Sequence, residues 1–314
     1  LQSLFIFGKI ILKIYFKQQE KTMNKLPEIL ENEEHMVLGD AIYFPDMEHN
    51  FYHEVPGISS SNIRRFGQSQ LHAFEEEHET TPAMKFGTAA HSLIVEGEEA
   101  FVNDVVCLTG SPYTNANKEL KKEYEDRGLT VITAKDKDTL YGMKEALIPE
   151  GIKHLSADKE EYPSVFNSPF ERAIFWWEQD LLLKVKSDVL RYPVSMPHES
   201  NSIILVDYKT TVDCSVKGFT SSIRKYQYDL QAAWYKRGFE KAGFNVVDFI
   251  FVAQEKKKPF ASKIFRMSHT DMDSGWQRME SLLTEYNAVL NGKEATIYNS
   301  PSIVDVDLTT GWDK

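Results

Sequence analysis

The run Ile203-Ile204-Leu205-Val206-Asp207-Tyr208-Lys209-Thr210-Thr211 is apolar until it delivers a carboxylate and an ammonium two residues apart. On a β-strand this spacing puts both side chains on one face, so Asp207 and Lys209 are expected to project together. Nineteen residues earlier Asp188 closes a second strand-like run, Lys184-Val185-Lys186-Ser187-Asp188-Val189-Leu190, and can stand beside them. Two carboxylates and a lysine at neighbouring strand ends suit metal-assisted hydrolysis of a phosphodiester. Carboxylate oxygens are the hard ligands that Mg²⁺ accepts. A bound metal activates water and steadies a leaving oxygen, while the ammonium orients that water or offsets phosphate charge. Asp-x-Lys also occurs by chance in acidic proteins, so the surrounding elements decide what it means.

Three strands are expected in succession, over Arg172 to Trp177, Leu183 to Leu190 and Ser202 to Lys209. Polar turns at Glu178-Gln179-Asp180 and Pro197-His198-Glu199-Ser200-Asn201 join them, which makes an antiparallel meander the economical arrangement. A helix from about Ser222 to Ala242 and a strand from Asn245 to Ala253 follow, then a helix from Met272 to Asn291. Upstream, Ser59-Ser60-Ser61-Asn62 offers N-caps to a helix bearing Arg64 and Arg65. The small and apolar stretch Ala83 to Val95 reads as a buried helix with His91 near its middle, and 110–128 as a surface helix. A further helix spans about Ala134 to Leu147. The fold class is therefore α/β (α+β), a mixed central sheet with a three-strand meander flanked by helices. Residues 51–292 form the domain. Residues 1–50 are an extension, with Glu28 to Asn50 a lead-in and order beginning near Tyr52, and 293–314 are an irregular tail.

At 314 residues the chain can bury a sizeable core, and 42% hydrophobic with 26% charged residues is the balance of an ordinary globular protein. A net charge of -11 excludes coating of nucleic acid by bulk charge, which needs a cationic surface. It leaves room for a local basic channel built from clusters such as Arg64-Arg65, Lys121-Lys122 and Lys256-Lys257-Lys258. With two cysteines, Cys107 and Cys214, the chain builds neither a disulfide framework nor a four-cysteine iron-sulfur cluster, which suits a reducing cytoplasm. The run Leu1 to Phe16 is interrupted by Lys9 and Lys13 and is too short to span a bilayer, so no membrane partner is expected. Residues 1–22 are either a translated extension ahead of a start at Met23 or an amphipathic helix.

In order along the chain stand Gly57-Ile58-Ser59-Ser60-Ser61, Phe86-Gly87-Thr88-Ala89-Ala90-His91, Glu171, the Lys184 to Asp188 strand, Val206-Asp207-Tyr208-Lys209-Thr210-Thr211 and Tyr228-Asp229-Leu230-Gln231-Ala232-Ala233-Trp234-Tyr235. Six landmarks in this order resemble the PD-(D/E)xK nuclease superfamily, in its RecB-like branch, and within it the phage-type exonuclease VIII (RecE) nuclease domain. The resemblance implies a restriction-endonuclease-like core. It implies Asp188 and Asp207 as metal ligands, with the Tyr208 backbone carbonyl as a further oxygen, and Lys209 positioning the attacking water. His91 resembles the branch's histidine ligand, and Glu171 the additional acid that some members place near a second metal. Glu178 and Asp180 compete with Glu171 for that place. Gln231 and Tyr235 would line the site or contact the DNA backbone; packing under the sheet is the alternative for both. Ser187 stands where relatives often have proline, and the aspartate after it is retained.

The implied activity is a Mg²⁺-dependent exodeoxyribonuclease, with Mn²⁺ as a substitute. It would degrade one strand of linear double-stranded DNA from its 5′ end, in the cytoplasm of a bacterium or phage-infected host. The implied partners are a single-strand annealing recombination protein and further copies of the chain in a ring. The alternatives are an endonuclease on the same core, a CRISPR-associated nuclease, which the missing cysteines disfavour, and a non-catalytic DNA-binding protein that keeps the fold. Ser59, Ser60, Ser61, Arg64 and Arg65 are the candidate anchor for a terminal 5′-phosphate, because a helix N-terminus with a nearby guanidinium suits an anion. Simple capping is the competing role of the serines. Trp176 and Trp177 are read as core and rim packing rather than a base-stacking platform.

Overall fold

The computed structural model describes residues 34–297 except 46, 48, 56, 76–79, 112–113, 151–169 and 192–200. Residues 1–22, with the question of the start, and most of the 293–314 tail lie outside the described residues. Seven strands form one sheet: β1 (Met36–Leu38), β2 (Ala41–Phe44), β5 (Phe170–Glu178), β6 (Leu181–Arg191), β7 (Ser202–Thr211), β8 (Asn245–Glu255) and β9 (Ser262–Arg266), in that spatial order. The β5-β6-β7 meander is antiparallel, as its short connections require, and β7 pairs with β8 in parallel. Two further strands, β3 (Val105–Leu108) and β4 (Thr130–Thr133), pair in parallel beside the main sheet.

The lead-in is more structured than its acidic composition suggests. Leu38 pairs with Ala41 across the two-residue turn Gly39-Asp40, and β2 then pairs with β5. Gly39 has φ 55, a conformation a two-residue hairpin turn demands and glycine supplies freely. The Gly-Asp pair between two short apolar runs was the available signal.

Alternating residues of β7 go to opposite sides. Ile203 and Leu205 join a core with Ile63 and Phe66 of α2 (Ser60–Gln68), Trp234 and Phe239 of α9 (Tyr228–Lys241), and Met279 and Leu283 of α10 (His269–Leu290). Val206 and Tyr208 join a second core with Phe86, Ala89 and Ala90 of α4 (Pro82–His91) and Leu140 and Met143 of α7 (Ala134–Glu150). Between α2 and α4 lies α3 (Gln70–Glu75). Ahead of them is α1 (His49–Glu54), whose Tyr52 packs with Phe44 and Phe175 in a third cluster. Between α4 and α7 come α5 (Glu98–Asp104) and the surface helix α6 (Asn115–Asp126). A Cβ on Gly238 would lie 2.7 Å from Val185 Cγ1 and 2.8 Å from a Trp176 ring carbon, so α9 lies directly on the sheet only because that position lacks a side chain. Among the described residues no helix is long and apolar enough to cross a membrane.

The continuous helix expected over Ser222 to Ala242 is instead two helices. Helix α8 (Val216–Tyr226) ends at Gln227, which is left-handed at φ 53, ψ 47, and α9 begins at Tyr228. No glycine or proline marks the break, so composition gave no warning of it. The left-handed residue is fixed by what α9 packs against.

Candidate active site

Strands β6 and β7 are paired at Arg191↔Ile204, Leu190↔Leu205 and Val189↔Val206. One step further along this register Asp188 faces Asp207, where pairing stops. The sheet therefore splits at its two carboxylates. On the other side of β6 the ladder with β5 also skips a step: Phe170 pairs with Val189 and Arg172 with Ser187, but Glu171 and Asp188 do not pair. Glu171 is left-handed at φ 57. Val185 packs in the first core and Val189 in the second, although residues four apart share a face in a regular strand. Strand β6 thus changes face across Lys186 to Asp188, as a β-bulge allows, and bulges re-aim side chains.

Groups from both faces meet at this split. Asp207 is 1% exposed, and its Oδ2 lies 2.5 Å from Lys209 Nζ, so the two project together. Gln231 Nε2 donates to Asp207 Oδ1 at 2.9 Å and lies 3.2 Å from the Tyr235 hydroxyl, which fixes the carboxylate from α9. Asp188 Oδ2 accepts the Tyr208 amide at 2.9 Å. Because the N–H and C=O of a strand residue point to the same neighbour, the Tyr208 carbonyl is directed toward the Asp188 side. From the opposite face His91 Nε2 approaches Asp188 Oδ1 at 3.4 Å.

His91 ends α4 rather than sitting mid-helix, because the chain continues as a π-helical turn over Ser92–Glu96. That turn returns Glu96 to His91, with Oε1 2.7 Å from Nδ1. Glu96 was not among the residues singled out by sequence. In an α-helix a residue five positions on does not share a face, and only the wider π spacing, marked by Gly97 N–H donating to the Ser92 carbonyl at 2.9 Å, makes the contact. Orientation of a ligating histidine by a carboxylate on its other nitrogen is a recurring feature of metal sites. His91, Glu96 and Glu171 bring one ligand atom each within 4.8 Å of one another. Glu171 is also paired with Lys186 at 2.6 Å. Its competitors lie elsewhere: Glu178 is held by Arg237 at 2.5 Å and by the Trp176 indole at 3.1 Å, and Asp180 is exposed in a turn.

The electrostatics are those of crowded, buried charges. Burial, with the Asp188 charge beside it, pushes the Asp207 carboxyl up to about 6 against the pull of Lys209. For Asp188, burial acts to raise the pKa, but His91, Lys209 and the Tyr208 amide outweigh it and hold it below the usual range. Burial would lower His91, and the carboxylates of Asp188 and Glu96 overcome that and raise it to about 10. Two buried atoms face an opposite charge with no further polar partner among the described residues: His91 Nε2, 3.4 Å from Asp188 Oδ1, and Asp207 Oδ2, 2.5 Å from Lys209 Nζ. Once His91 releases its proton, its imidazole nitrogen and the carboxylate oxygens of Asp188 and Asp207 fit a small divalent cation.

The serines lie at the N-terminus of α2. Ser59 N–H donates to Asn62 Oδ1 at 2.9 Å, Ser59 and Ser61 hydroxyls lie 2.8 Å apart, and Ser60 is buried. The two arginines separate. Arg64 Nη1 donates to the Tyr226 carbonyl at 2.6 Å, and burial lowers its pKa against the opposing Asp207 carboxylate. Arg65 Nη2 donates to the Ala73 carbonyl at 3.1 Å. Trp176 is buried against Trp234 and Trp177 is 42% exposed, a core and a rim residue.

Among solved structures, the chain is similar to a crystal structure from Eubacterium rectale described as a "Putative exonuclease". The TM-score is 0.54 at 13% identity, over 84% of this chain and 97% of that one. At that identity the likeness shows the fold. No curated protein matches. Residues 59–300 match the model of a family described as a PDDEXK-like domain of unknown function, and the chain belongs to that family.

Proposed function

We propose that the protein is a divalent-metal-dependent exodeoxyribonuclease acting on linear double-stranded DNA, 5′ to 3′. One observation carries the hydrolytic reading: Asp188, Asp207, Lys209 and His91 converge at the split in the sheet, with Asp207 buried. Asp188, Asp207, His91 and the Tyr208 carbonyl would hold the cation, and Glu171 with Glu96 would flank a second. When bound, the cation neutralises phosphate charge and acidifies water. Lys209 holds the attacking water against the phosphorus and offsets the charge that develops there. Gln231 and Tyr235 keep Asp207 in place.

The neighbour's description as an exonuclease supports action at an end. Mg²⁺ as the preferred ion and Mn²⁺ as its substitute rest on the resemblance to the exonuclease VIII group. So do the 5′ to 3′ direction, a phage-type recombination role in the cytoplasm, a single-strand annealing partner and a ring of copies. A purely DNA-binding role fits less well, since closely placed buried carboxylates destabilise a fold that has no use for them. The deciding experiment is digestion of a linear duplex labelled at one end, with and without Mg²⁺, beside a closed circle. The expected result is metal-dependent release from the end with the circle intact. Cleavage of the circle would replace the reading with an endonuclease, and binding without cleavage in any divalent ion would leave a binding protein.

Arg64 is the proposed anchor for a terminal 5′-phosphate, with Ser59, Ser60 and Ser61 at the same helix start. Its guanidinium has donors beyond those given to the Tyr226 and Ser60 carbonyls. Arg64→Ala is expected to abolish the preference for a 5′-phosphorylated over a 5′-hydroxyl duplex, while Arg65→Ala, on the Ala73 side, retains it. Rates measured on both duplexes decide the point, and a preference surviving Arg64→Ala returns the segment to capping alone.

A further inference from the structure

Beside the lysine of the proposed site stands an aromatic step that the hydrolytic chemistry does not use. Lys209 Nζ lies 5.1 Å from the centroid of the Tyr228 ring. That ring is backed by the core aromatics Phe251 at 5.6 Å and Phe219 at 6.2 Å. On its outer side Tyr226 stacks at 5.6 Å with an interplanar angle of 30°, and Tyr226 is 49% exposed.

Two residues apart on a continuous helix do not face each other. The rings meet because Gln227 between them is left-handed, at φ 53, which breaks one helix into two. That conformation is unfavourable for a residue with a Cβ, yet the outer ring it brings into register remains half open to solvent. Arg64, clamped on the Tyr226 carbonyl at 2.6 Å, fixes the step from the other side. The rim is cationic although the protein carries a net charge of -11: Arg224 and Lys225 are exposed, and Lys225 Nζ lies 5.3 Å from the Tyr226 centroid.

We propose that Tyr226, supported by Tyr228, is a stacking platform for a nucleobase of the DNA strand whose phosphate is presented to Lys209. This rests on the nuclease reading above. The occupant is a nucleobase rather than an apolar peptide because a flat aromatic face, a cationic rim and an adjoining phosphate-handling lysine together match one nucleotide of a strand. Any base has a π-face, so the platform holds the strand without selecting sequence.

The test uses the full chain and duplex DNA carrying 2-aminopurine at successive positions from an end, with Ca²⁺ in place of Mg²⁺ to hold the complex uncut. The wild-type protein is expected to change the fluorescence of 2-aminopurine at one position near the end. Tyr226→Ala is expected to remove that change and to weaken binding by about ten-fold, whereas Tyr226→Trp restores both. Placing an abasic nucleotide at that position should bring wild type and Tyr226→Ala to equal affinity. An unchanged signal and affinity in Tyr226→Ala, with DNA still bound, overturns the platform and leaves the nuclease reading standing. Absence of any DNA binding by the wild type overturns both.

Discussion

The Asp207→Asn protein is expected to fold and to lose DNA cleavage on the order of 10³-fold, with Lys209→Ala losing as much. Asparagine keeps the volume and an oxygen for the Gln231 amide, which now bonds Asp207 at 2.9 Å. It removes the negative charge that pairs with Lys209 at 2.5 Å and that a cation would need. Loss of a single donor to developing charge costs about 10²–10³ in rate, and these two side chains carry full charges at the centre of the proposed reaction. Stability should be affected far less. Burial and Asp188 push the Asp207 carboxyl up to about 6, so its surroundings resist the charge. Neutralising it relieves the repulsion while Asp188 continues to act on Lys209. Rates on a linear duplex, read together with melting curves, check this. A folded Asp207→Asn protein that cleaves at the wild-type rate would remove these residues from the chemistry.

Divalent metal is expected to stabilise the protein strongly near pH 8 and only weakly near pH 5. The Asp207 carboxyl is raised to about 6 from its ordinary value of 3.8. A raised pKa means that the folded state keeps a proton the unfolded chain releases. The contribution of Asp207 to the stability of the metal-free protein therefore falls as pH climbs from about 4 to about 6. A cation that binds the ionised carboxylate offsets this loss above pH 6, and concentrations of about 100 times Kd add close to 3 kcal/mol. His91, raised to about 10 by its carboxylates, must release its proton to become a ligand, so binding should also liberate protons. Glu96→Ala, by freeing His91 Nδ1, should weaken metal binding about 10- to 100-fold. Titration calorimetry in two buffers of different protonation enthalpy reads both effects. Ca²⁺, with longer bonds and looser geometry, should bind without supporting cleavage. Equal melting shifts at the two pH values, or equal cleavage in Ca²⁺ and Mg²⁺, would rule out this ligand set.

What the sequence alone determined is the local part. The run from Ile203 to Thr211 reads as a strand because its apolar residues alternate between two cores, and that alternation is what puts Asp207 and Lys209 on one face. The four-residue spacing of Gln231 and Tyr235 likewise sets both beside Asp207. The tertiary structure decided the rest. Where β6 and β7 part, which face Asp188 serves, and how Glu171 turns at φ 57 depend on pairings between distant segments. The break at Gln227 and the π-turn that returns Glu96 to His91 depend on packing around them. A positive φ on a residue with a Cβ, or five-residue hydrogen bonding inside a helix, is locally unfavourable. Contacts from outside the segment have to hold it, and no local pattern of residues announces them.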